Sequence, residues 1–354
     1  MPINYHKLYD LSLREKIAQL MLIGFHGSDC LEESEVWSMI QNHKPGGVIL
    51  FDKDMVHHKP VHNIKSPKQV KELTKNLQRA SKLPLLIGVD QEGGLINRLK
   101  PEYGFPETKS HQKLGEIDDI EVTTNEGNHI AKILTEAGIN INFAPCVDLS
   151  IEKESSIIAK RERCFGDTSE QVIKHAKAYM DGHHKNRILT ACKHFPGHGS
   201  ATGDTHAGFV NVTDTWKEDE LRPYSSLIDS QLCPVIMISH IFNGNFDTEF
   251  PATLSVKTID HFLRKKIGFD GVVISDDMQM RAISDHYDLE ESLKLGLEAG
   301  LDMFCFGNNL LKEPIHMEEA ISAVENLIEK KILREDRIDE SVNRILKLKS
   351  RWIN

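Results

Sequence analysis

"ILTACKH" (Ile188–His194) is a run of apolar and β-branched residues that ends in lysine and histidine. The run is continuous rather than alternating. That pattern fits a strand buried on both faces, as in a parallel sheet. Seven more runs share it. They are "LMLIGF" (Leu20–Phe25), "GGVILF" (Gly46–Phe51), "LLIGVD" (Leu85–Asp90), "INFAPCVDL" (Ile141–Leu149), "PVIMISH" (Pro234–His240), "GVVISDD" (Gly271–Asp277) and "GLDMFCF" (Gly300–Phe306). Helix-period segments lie between most of them. "SPKQVKELTKNLQRASK" opens on Ser66–Pro67 and spaces Val70, Leu73 and Leu77 on one face. "LEESLKLGLEAG" ends on Gly300, a fitting C-cap, and the last forty or so residues read as two helices. Strands alternating with helices predict an α/β fold, a single (β/α)₈ barrel of the TIM type spanning 1–354 as one catalytic domain. Two places fit less well: the first run also suits a helix, and the segment before Asn63 is long.

Polar residues end many of these runs. Asp90, Asp148, Lys193, His194, His240 and Asp276 all stand at C-terminal ends. In a barrel of this kind that rim builds the active site.

Composition narrows the class of protein. The 354 residues are 40% hydrophobic and 27% charged, an ordinary globular balance. The net charge of −10 and the absence of a basic tract argue against nucleic acid as a partner. No run approaches the roughly 20 apolar residues of a membrane span. The opening "MPINYHKLYDLSLREKIAQL" lacks the pattern of a signal peptide. Six scattered cysteines without a Cys-x-x-Cys fit free thiols in a reducing cytoplasm.

The stretch "KHFPGHGSATGDTH" (Lys193–His206) carries three histidines and three glycines directly after a strand. His194 and His198 have the spacing of a helical zinc pair, but Pro196, Gly197 and Gly199 disfavour a helix there. The glycines resemble a dinucleotide loop, yet "DTHAGFVNVTD" shows no helical period to hold a pyrophosphate. An acid/base device asks less of the chain. Asp204 and His206 are two apart, so a turn can join them. A carboxylate beside imidazole raises its pKa and fixes its tautomer. Asp276 at the end of "VVIS" is the natural partner carboxylate. Asp204–His206 could equally only pin the loop. "HHKPVH" (His57–His62) reads as a solvated loop rather than a metal site, and His183–His184 as the flank of a helix end. Asp277 reads as a supporting group or helix-start acceptor, and Glu92 as a supporting carboxylate.

The motifs "GVDQEGGLINRL", "INFAPCVDL", "RCFGD", "KHFPGHGSATGDTH", "PATLS" and "VVISDDMQM" occur in this order. Together they resemble the glycoside hydrolase family 3 β-N-acetylglucosaminidases, the cytoplasmic single-domain type of peptidoglycan recycling, over roughly Leu8 to Arg344. The resemblance implies Asp276 as nucleophile and His206 as acid/base, paired with Asp204. It implies that Asp90, Arg98, Arg163, Lys193 and His194 hold the N-acetylglucosamine ring. It also implies a retaining mechanism without metal or organic cofactor, and a monomer acting on a small-molecule sugar such as a muropeptide. Leu95 stands where the family usually has arginine, which bears on the support of Asp90. Ser200–Ala201 replace a frequent Asp-Thr, which bears on loop mobility. Lys193, Arg98 and Arg163 are expected to make a positive rim for an anionic substrate. A sugar-binding protein without turnover, a β-glucosidase or β-xylosidase, and a phosphorylase are the rival readings.

Overall fold

In the computed structural model, which describes residues 11–155 and 157–353, the eight apolar runs supply the eight parallel strands of a closed barrel. They are β1 (Met21–Gly24), β2 (Gly47–Ile49), β3 (Leu86–Val89), β4 (Ile141–Asn142), β5 (Leu189–Phe195), β6 (Val235–Ile238), β7 (Val272–Asp277) and β8 (Met303–Phe306). Each pairs with its sequence neighbour, and β8 closes on β1 with Phe304 opposite Met21. The first run is thus a strand; the helix Leu13–Gln19 precedes it. Leader and family motifs read on Met1–Asp10 fall outside the described residues.

Local chemistry accounts for the layers. The strands are buried on both faces because helices cover the outside and side chains fill the inside. Ser66 caps Pro67–Ala80, its side chain accepting from the Gln69 N–H, and Val70, Leu73 and Leu77 of that helix are fully buried. Gly300 ends Leu289–Ala299 at φ 112, a conformation that favours glycine. The C-terminal segment forms Met317–Glu329 and Glu335–Trp352. β4 is shorter than its run because Pro145 has no N–H to give the ladder. The chain still follows β5, with Val147 N–H donating to the Lys193 carbonyl at 2.9 Å.

Two histidine segments differ from each other in outcome. His183 and His184 lie in the last turn of Ser169–Lys185. In the segment before Asn63, His57 and His58 are exposed, as a solvated loop requires. His62 is not; it is 4% exposed, drawn inward when its N–H bonds the Asp52 carbonyl at 2.8 Å. All six cysteines are buried and unpaired. Among the described residues no helix is long and apolar enough to cross a membrane.

Candidate active site

The strand ends place the predicted residues on one rim. Lys193 and His194 directly precede the last residue of β5, and Asp276 is the penultimate residue of β7. Asp90 follows β3 directly and leads into a small hairpin, Gln91–Gly93 with Ile96–Asn97, which delivers Arg98. Lys193 Nζ donates to Asp90 Oδ1 at 2.7 Å and to Glu92 Oε1 at 2.8 Å. Arg163 grips Glu92 with two nitrogens, Nε at 2.9 Å and Nη2 at 2.7 Å. Arg98 lies 3.7 Å from both Asp90 and Asp52, and Lys100 also pairs with Asp52.

Glu92, Lys193 and Asp52 of this ion network are buried and Asp90, Arg98 and Lys100 partly so, and the charges compensate one another. Burial alone would raise the Glu92 carboxyl, but Arg163 and Lys193 outweigh it and hold the group far below the usual range. Asp90 is held low in the same way, chiefly by Lys193 against burial. Four cations (Arg98, Lys100, Arg163, Lys193) meet three carboxylates (Asp52, Asp90, Glu92). The expected positive rim is therefore a nearly neutral lattice of donors and acceptors, a correction that sequence could not supply because Asp52 and Glu92 are long-range partners. Asp90 needs no arginine at position 95: it has Lys193 and Arg98, while Leu95 is 56% exposed on the hairpin turn.

His194 is fixed from two sides. Its Nδ1 lies 2.7 Å from Asp148 Oδ2, and its Nε2 lies 3.0 Å from Arg163 Nη2. Arginine can only donate, so Nε2 accepts and Nδ1 carries the proton. Asp148 also accepts the His198 N–H at 2.8 Å and the Cys146 thiol at 3.1 Å. Cys146, Asp148 and His194 are close enough to suggest a cation site. Asp148 already accepts from Cys146, His194 and His198, however, and the His194 Nε2 meets Arg163. His198 is not part of that group.

The glycines of the histidine loop serve close approach. A Cβ on Gly199 would stand 1.9 Å from the Leu149 carbonyl oxygen, and Gly197 has φ 117. Gly199 N–H donates to the buried Glu220 at 2.9 Å, whose carboxyl burial pushes up to about 7. Ser200 and Ala201 are buried, so the loop is packed at this departure from the family pattern.

Beyond that anchor the loop carries Asp204 and His206 outward. His206 Nδ1 is 2.8 Å from Asp204 Oδ1, and the ring is about half exposed. The Asp204 hydrogen bond raises the imidazole pKa against a lowering by burial, and the charge of Asp276 raises it further. Burial would raise Asp276, but His194, His240 and His206 together hold it below 3.8. The neighbouring Asp277 is pushed up to about 6, by burial first, and accepts N–H bonds from Gln279 and Gly307. His240 Nε2 donates to the Asp277 carbonyl at 2.9 Å, and its Nδ1 meets Thr253 of "PATLS" at 2.7 Å. The rim thus holds a carboxylate kept in its ionised form and an imidazole whose protonated form is favoured, within each other's field. That arrangement can attack a carbon while protonating what leaves it.

These features agree with the comparisons. The model described as glycosyl hydrolase family 3 N terminal domain matches residues 12–348. The beta-hexosaminidase of Tolumonas auensis is 32% identical over 79% of this chain and 80% of its own length. That of Nitrosomonas eutropha is 34% identical over 75% and 74%. Among solved structures, a family 3 beta-N-acetylglucosaminidase from Paenibacillus sp. str. FPU-7 superposes with TM-score 0.87 at 31% identity, covering 96% of this chain. The chain spans 62% of that protein's chain. The chain belongs to glycosyl hydrolase family 3. It is a glycoside hydrolase of the β-N-acetylhexosaminidase group, and it acts on sugar substrates.

Proposed function

We propose that the enzyme is a retaining β-N-acetylhexosaminidase that removes terminal N-acetylglucosamine from muropeptides. One barrel, in this reading, carries every group the reaction needs, as a monomer in the cytoplasm without a nucleic-acid partner. The observation that carries it is His206 bonded to Asp204, its imidazole pKa raised by that bond and by the charge of Asp276. Asp276 forms a bond to the anomeric carbon as the glycosidic C–O bond breaks. The leaving oxygen takes the proton from His206 Nε2, the nitrogen that Asp204 leaves free. Water then attacks the same carbon, the bond to Asp276 breaks, and His206 accepts the water's proton.

The nearly neutral lattice around Asp90, Lys193 and Arg163 suits an uncharged sugar ring. Donors and acceptors lie side by side there for hydroxyl and acetamido groups. The anionic part of a muropeptide would extend outward from the ring. Nitrophenyl glycosides of N-acetylglucosamine, glucose and xylose, assayed with and without phosphate, test the reading. N-acetylglucosaminide turnover should dominate and need no phosphate, and the first-formed sugar should be the β-anomer by NMR. Turnover of glucoside alone, an α-anomer first product, or obligatory phosphate would each overturn it.

A further inference from the structure

The loops after β1 and β2 bring together three metal-ligating side chains that the hydrolytic chemistry leaves unused. His26 follows β1; Asp54 and His62 follow β2. One ligand atom from each lies within 4.8 Å of the other two. We propose that His26, Asp54 and His62 form a site for one divalent transition cation of the zinc type, separate from the sugar-hydrolysing centre.

Four observations support it. His62 is 4% exposed and its Nε2 has no hydrogen-bond partner among the described residues. An orphaned nitrogen of this kind is costly unless a ligand satisfies it. Asp54 is also buried, at 4% exposure, and its backbone is pinned by a two-way bridge to Lys59. The rings of His26 and His62 sit edge to face with centroids 4.9 Å apart. The two loops are clamped by a buried asparagine, Asn63. Its Nδ2 donates to the carbonyls of Phe25 and Gly27, on either side of His26, and its Oδ1 accepts the Phe51 N–H.

Two imidazoles and a carboxylate are a donor set that zinc accepts, with a fourth position for water. Tetrahedral ligands about 2.1 Å from zinc stand roughly 3.4 Å from one another. Separations of at most 4.8 Å therefore need to close by no more than about 1.4 Å. His26, the exposed member, is free to make that movement. His57 Nδ1 now contacts Asp54 at 2.9 Å and would yield one carboxylate oxygen or enter as the fourth ligand. Asp52, two residues before Asp54, pairs with Arg98 and Lys100. A bound cation would thus tie the first two loops together next to the sugar-binding lattice.

Titration calorimetry of chelator-treated full chain with zinc chloride tests this, alongside the cobalt(II) visible spectrum and thermal melting. We expect one equivalent bound, a tetrahedral-type cobalt spectrum and a raised melting temperature. His26→Ala should weaken binding at least tenfold while the metal-free melting temperature stays that of the parent chain. Asp54→Asn should do the same, and His62→Gln checks the buried ligand where it folds. His206→Ala should bind zinc as the parent does. Absence of stoichiometric binding overturns the proposal. So does binding that survives His26→Ala and Asp54→Asn, or binding lost only in His206→Ala.

Discussion

Asp204 Oδ1 accepts both the Nδ1–H of His206, at 2.8 Å, and the His206 backbone N–H, at 2.9 Å. A single oxygen thus fixes the tautomer and the orientation of the ring. It also raises the imidazole pKa above 6.5. Glycosylation needs this group protonated and Asp276 ionised. Because Asp276 is held below the ordinary carboxylate range and His206 above the ordinary imidazole range, kcat/KM should stay level through mildly acid pH and fall only above the raised His206 pKa. Asp204→Asn should move the alkaline limb to lower pH. An unmoved limb in that variant would assign it to another group.

Asp276 is the ionised member of an aspartate pair, with Asp277 pushed up to about 6. Asp276→Asn should abolish detectable turnover without loss of folding. A slow fluorosugar substrate should trap a glycosyl-enzyme, and peptide mass mapping should find the sugar on Asp276. Label on Asp277 or Glu92 would reassign the nucleophile.

Glu92 accepts from Arg163 and Lys193 with its carboxylate 2% exposed. Glu92→Gln leaves two buried cations short of a charge. Breaking such a pair costs about 3–5 kcal/mol. Urea unfolding should show that loss at neutral pH, and KM should rise because Lys193 and Arg163 are no longer held against Asp90 and His194. A stability change below about 1 kcal/mol would mean that water reaches the network freely.

The strands were legible because each is a continuous apolar run, and the rim followed from the polar residues ending them. Asp204–His206 was legible because its two members are two residues apart. Glu92 and Asp148 were legible as a support and a rim residue, but not the partners of either. Asp52, Glu92 and Asp148 find their partners across the barrel, and no local pattern encodes which cation meets which carboxylate. The charge of the rim was misjudged for the same reason. His62 was read as solvated because its neighbours His57 and His58 are; the turn that buries it depends on a backbone bond to Asp52.

Lys349 is fully buried, and burial pushes its amine down to about 7. Its Nζ donates to Gln19 Oε1 at 2.7 Å, and among the described residues no carboxylate pairs with it. The unfolded amine titrates near 10.5, so between about pH 7 and 10.5 the unfolded chain binds the extra proton and stability rises with pH. Below pH 7 both states are charged and this slope vanishes. Lys349→Met should flatten the dependence in urea titrations. It should also stabilise at pH 7 by about 1–2 kcal/mol, the relief of the amine less the cost of an orphaned Gln19 oxygen. A slope that persists in Lys349→Met would place the linkage elsewhere.

The worth of His206 depends on what leaves. A sugar hydroxyl is a poor leaving group and needs a proton as its bond breaks, whereas nitrophenolate departs without one. Loss of a general acid costs about 10²–10⁴ in rate, or ~3–5 kcal/mol. His206→Ala should therefore cripple cleavage of a sugar–sugar bond while sparing glycosylation by a nitrophenyl glycoside. The second half-reaction also slows, because the base that activates water is gone. The glycosyl-enzyme then accumulates, and a burst of nitrophenol should precede slow turnover. Asp204→Ala should give the same pattern more mildly, since the imidazole remains but loses its orientation and part of its basicity. A half-exposed pair on a loop could instead serve only to hold that loop over the cleft. In that case both substrates would lose rate equally and no burst would appear, so the ratio of the two losses separates a proton donor from a loop pin.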